Sequence, residues 1–118
     1  MFERYRERKY IKTVMKYVQE QIWNGAYARE KLRAIRENIR QNYDFTSEKL
    51  RGVNDALANM TNKEGRAEFE PQQVQLTAGV EQLKANLAEW DAKIEAKSAE
   101  IKGLRAELSM LTEYISKI

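Results

Sequence analysis

Three observations predict an all-α fold, an antiparallel helical hairpin of coiled-coil type that associates further into a helical bundle. Apolar residues recur at alternating steps of three and four over long stretches of both halves of the chain. Breakers are scarce, with one proline (Pro71) and five glycines among 118 residues, too few for a sheet or a turn-rich fold. Charged residues make up 33% of the chain and mean hydropathy is -0.76, a polar load that suits long helices with narrow apolar stripes.

The amino-terminal region, residues 1–60, carries a seam through Ile11, Val14, Val18, Gln21, Gly25, Ala28, Leu32, Ile35 and Ile39. After a four-residue step it resumes as Tyr43, Thr46, Leu50, Val53, Leu57 and Met60. An added four-spacing is a stutter, which unwinds a supercoil locally without ending it. Asn24-Gly25 is a turn dipeptide, and Asp44 or Thr46 could cap a new helix with Glu48 in its first turn. The region therefore reads as one long helix or as two to three consecutive ones.

Residues 61–70 show no helical period and centre on Gly65, so they are expected to form the loop. Pro71 follows, suited to a first helical turn where its missing N–H is not needed. The carboxy-terminal helix is expected over residues 71–118. Its seam runs through Leu76, Val80, Leu83, Leu87, Trp90, Ile94, Lys97, Ile101, Leu104, Leu108, Leu111, Ile115 and Ile118, apolar at every position except Lys97. A polar residue in such a seam can fix register, and a lysine stem can also lie along it with its ammonium in water. The two seams span 50 and 43 residues, roughly 75 and 64 Å as helix. Similar lengths around one short loop favour the hairpin over a parallel coil of residues 76–118 between chains. Pairing about a loop centre near residue 66 would set Ile39 beside Ile94, Leu57 beside Leu76 and Trp90 opposite residue 42.

Around residues 10–23 the apolar surface is wider than one seam covers. Tyr10, Val14 and Tyr17 form one stripe and Ile11, Met15, Val18 and Ile22 another, with Trp23 alongside. Surface of that width marks an interface. The candidate protein-contact residues are Tyr10, Val14, Tyr17, Val18, Ile22 and Trp23, together with the seam residues Leu83, Leu87, Ile94, Ile101, Leu104, Leu108, Leu111 and Ile115.

Charge is unevenly distributed. Residues 1–42 hold eleven Lys/Arg against five Asp/Glu, and residues 43–118 hold ten against thirteen. Such opposed halves can pair with each other or with a second copy. Arg4, Arg6, Arg8, Lys9, Lys12 and Lys16 gather beside Phe2, Tyr5 and Tyr10, and are the candidate contacts to anions or nucleic acid. The plainer reading, a solvated helix terminus interrupted by Glu3 and Glu7, is preferred. Docking of this face on protein is likewise preferred to docking on a membrane surface.

No catalytic or metal chemistry is expected. The chain has no histidine and no cysteine, which removes the commonest general base, thiolate nucleophiles and the usual transition-metal ligands. Most of the acids of the second helix (Glu81, Glu89, Asp91, Glu95, Glu100, Glu107, Glu113) lie off its seam, without the enclosure that catalytic carboxylates need. Gly52 and Gly65 lack phosphate-loop spacing, and residues 45–60 leave no room for the turn of a helix-turn-helix. No cofactor is expected. No apolar run is long enough to span a membrane, and a cytoplasmic location, or one inside a particle assembled in a cell, is expected, which leaves the sequon at Asn59 unused. The expected function is that of a non-catalytic structural or adaptor protein. Its partners would be further copies of itself or a larger assembly, as a scaffold, chaperone or minor component of a virus or secretion particle. The alternative is a nucleic-acid-binding regulator that uses the basic amino terminus and oligomerises through the second helix.

Overall fold

The computed structural model describes residues 2–118. The chain is a helical hairpin in which α1 (Phe2–Ala58, 57 residues) packs against α2 (Lys63–Lys117, 55 residues), with no strand among the described residues. α1 is a single helix. It runs through Asn24-Gly25 and through the candidate caps Asp44 and Thr46, because an unbroken row of seam residues makes continuity worth more than either local stop signal.

All thirteen seam positions of residues 76–118 are buried or half-buried. So are the fifteen seam positions of residues 11–60, with the single exception of Ile35, which is 42% exposed. Ile35 stands where the stutter begins. The seam drifts past it there, and half-buried Arg36 takes the inner place, its Nε donating to Asp91 Oδ1 at 2.6 Å. Lys97 is half-buried and its Nζ reaches Glu100 Oε2 at 3.0 Å, so its stem lies along the seam while its charge is met at the rim.

The connection is shorter than the sequence suggests. Between the helices only residues 59–62 are non-helical, and α2 begins eight residues before Pro71, which lies inside the helix. Asn62 is the cap: its Oδ1 accepts from the Glu64 backbone N–H at 3.0 Å, and its carbonyl takes the first helical bond, from Arg66 N–H at 3.0 Å. The Arg66 guanidinium then closes the other helix, donating from Nη1 to the Leu57 carbonyl at 2.8 Å and the Met60 carbonyl at 3.0 Å. A cation is favourable at this end, where the helix dipole is negative. Pro71 has no N–H to donate to the Ala67 carbonyl, and both residues are exposed.

With the shorter connection the helices pair about residue 63 instead of 66. Gly25 meets Ile101, Arg29 meets Ser98, Arg36 meets Asp91, Thr46 meets Gly79 and Asn54 meets Gln73. Ile39 therefore stands level with Leu87, Leu57 with Phe69 and Trp90 with Arg36. The expected pairs Ile39–Ile94 and Leu57–Leu76 are each displaced by one heptad, so both seams keep facing each other.

Two compact units divide the hairpin. They cut across both helices and do not follow the amino- and carboxy-terminal halves. The terminal unit comprises Met1–Leu32 with Lys93–Ile118. Its core is Val18, Ile22 and Ile101, walled by Val14, Ala26, Leu104, Leu108 and Leu111. Ile101 is 1% exposed because Gly25 lets it come close: a Cβ on Gly25 would stand 3.1 Å from Ile101 Cγ1. Burying a side chain of this size stabilises by about 1.5–3 kcal/mol. The loop unit, Arg33–Ala92, is held by buried Leu57, by the Arg66 cap and by the Arg36–Asp91 and Asn54–Gln73 contacts.

Candidate interaction surface

The residues singled out as protein contacts fall into two groups. Val18, Ile22 and Ile101 are buried within the chain, and Val14, Leu83, Leu87, Ile94, Leu104, Leu108, Leu111 and Ile115 are half-buried. The hairpin uses these to hold its own helices together, and Ile22 and Leu108 also reach the floor of an open groove. Tyr10, Tyr17 and Trp23 are 71%, 60% and 65% exposed. The wide apolar face thus splits, the Ile11, Val18 and Ile22 stripe turning inward and the tyrosines and tryptophan outward.

Exposure of large apolar groups is concentrated in the terminal unit. Phe2, Tyr5, Tyr10, Tyr17, Trp23 and Tyr27 on α1, and Met110 and Tyr114 on α2, are all exposed. Tyr27, Met110 and Tyr114 were not legible as a surface. Tyr27 lies one turn beyond Trp23, and the two α2 residues belong to no stripe that α2 shows by itself. Only folding α2 back on α1 brings Tyr114 to the first turns of α1, where its hydroxyl donates to Glu7 Oε1 at 2.6 Å. That bond to a carboxylate raises the Tyr114 pKa above its ordinary value of 10.0.

Tyr10 and Tyr17 are one heptad apart on one flank of α1. Tyr17 is steadied there by Gln21, whose Nε2 donates to the tyrosine hydroxyl at 2.9 Å. The opposite flank faces a groove between α1 and α2 in the terminal unit. It is about 650 Å³ in volume and open to solvent, floored by Ile22 and Leu108, with Trp23 on one side and Arg105, Ser109 and Glu113 on the other. Neither flank carries a perturbed acid or base suited to catalysis. Apart from Tyr114, the resolved shifts belong to the half-buried pair Glu37 and Arg40 in the loop unit. There a hydrogen bond between the two lowers the carboxyl and raises the guanidinium.

Each basic candidate, Arg4, Arg6, Arg8, Lys9, Lys12 and Lys16, is exposed. The Arg6 guanidinium lies over the Phe2 ring at 5.3 Å, and Arg8 Nη2 is 3.5 Å from the Ile115 carbonyl. Tyr5, Arg8, Lys9 and Lys12 outline a shallow depression of about 200 Å³. Among the described residues no group of His, Cys, Asp or Glu is placed to hold a metal ion, and no helix is long and apolar enough to cross a membrane.

No protein-family model, no curated protein and no solved structure matches the chain.

Proposed function

We propose that this protein is a non-catalytic interaction element, a coiled-coil hairpin that docks on other protein chains through its terminal unit. One observation carries the reading: Tyr10, Tyr17, Trp23 and Tyr27 stand 60–71% exposed on α1 while the neighbouring aliphatic stripe is used up inside the hairpin. Tyrosine and tryptophan supply large contact area at low entropic cost and carry much of the energy at protein interfaces. A seam closed within the chain gives a stiff support on which those rings are held ready, which lowers the ordering cost of binding. The roles that suit such a piece are scaffold, chaperone or minor component of a larger assembly.

A photoreactive side chain at position 17, and another at position 9, tests this in an extract of the cells that make the protein. Protein adducts from position 17 that resist nuclease are expected. Adducts formed only from position 9 and removed by nuclease would overturn the reading in favour of a nucleic-acid binder acting through the basic amino terminus.

A further inference from the structure

The groove beside Trp23, about 650 Å³, has its charges arranged so that it complements itself. On α2, Arg105, Ser109 and Glu113 follow one another at four-residue steps and all three line the groove. A small residue thus stands midway between a cation and an anion. When two identical helices meet antiparallel about a two-fold axis through Ser109, Arg105 of each faces Glu113 of the other, and the serines allow close approach. A two-fold interface needs this property, because the same patch must serve on both sides.

We propose that the groove of the terminal unit is a self-association site whose occupant is a second copy of this chain. The copy docks antiparallel about a two-fold axis near Ser109. Trp23 of each copy enters the groove of the other and covers half-buried Leu108, and two Arg105–Glu113 pairs close the rim. Glu113 is at present 3.3 Å from Lys117 Nζ, an exposed contact that costs little to exchange. The tryptophans supply the area and the charges fix the direction. The inference rests on the protein-docking reading above and names the partner for one of its two flanks. The Tyr10 and Tyr17 flank remains free for a different chain.

Sedimentation equilibrium of the full chain across a concentration series tests it. Arg105 and Glu113 are both exposed, so substituting them leaves the helices intact, which circular dichroism checks. The wild type is expected to dimerise. Arg105→Glu alone and Glu113→Arg alone each place like charges together twice per dimer, and each raises the dissociation constant roughly tenfold or more. Mixing the two single variants in equal amounts restores attraction at both contacts and recovers the wild-type constant. Trp23→Glu abolishes the dimer. A wild type that stays monomeric throughout, a self-association indifferent to both charge changes, or a mixture that fails to recover would overturn the proposal. Nuclease-resistant adducts from position 17 to other proteins would still stand in any of those cases, so loss of the dimer is separable from loss of the docking function.

Discussion

At Gly25 the helix gives up about 1 kcal/mol of propensity relative to alanine so that Ile101 can pack against bare backbone. The cost is local, and it completes the Val18, Ile22 and Ile101 cluster. Gly52 and Gly103 also lie in mid-helix, but nothing stands within 4 Å of a Cβ added at either. The three positions should therefore respond in opposite directions. Gly52→Ala and Gly103→Ala are expected to raise stability by about 0.5–1 kcal/mol each. Gly25→Val should lower it by about 1–3 kcal/mol, through overpacking against Ile101 and the poorer helix propensity of a branched residue. Thermal and urea unfolding of the three variants measures this, and a stabilised Gly25→Val would show that the close approach is not structural.

At the level of elements, the junction between α1 and α2 departs furthest from what the sequence suggests. Arg66 is the reason the turn holds in four residues, with one guanidinium on the Leu57 and Met60 carbonyls and its Nε 3.1 Å from Glu70 Oε1. Arg66→Met keeps the stem and removes the donors. It should cost about 1–3 kcal/mol, the penalty for leaving part-buried carbonyls short of a partner, and should speed amide exchange at the ends of both helices. Exchange unchanged at residues 55–62 would mean that Asn62 alone sets the turn.

The seams, their stutter and the hairpin were legible because heptad spacing follows directly from packing geometry, and twelve of the thirteen positions in α2 are apolar. The loop was not. Pro71 and Gly65 are strong local signals, and only the long-range fact that Arg66 and Asn62 cap two helices at once shows why helix begins at Lys63. Of the exposed aromatic surface, Tyr10, Tyr17 and Trp23 can be read from α1 alone. Tyr114 and the groove at Leu108 could not, since they exist as surface features only once α2 lies against α1.

For the whole molecule, charge follows the compact units more simply than it follows the sequence. The terminal unit holds thirteen Lys/Arg against eight Asp/Glu, and the loop unit eight against ten. The net positive charge thus belongs to the unit that bears most of the exposed aromatics.

The tyrosines matter as a surface only if the seam is closed within one chain, because a seam left open would itself be the apolar face offered to a partner. Thr46 and Gly79 test this within the loop unit, since a Cβ on Gly79 lies 3.7 Å from Thr46 Cγ2. Cysteines introduced together as Thr46→Cys and Gly79→Cys, oxidised at high dilution, are expected to form a bond within the chain. The pair Thr46→Cys and Asn86→Cys, one heptad or about 10 Å further along α2, should not. Bonding of the second pair in preference to the first would contradict the register, and bonds formed only between chains would contradict the hairpin.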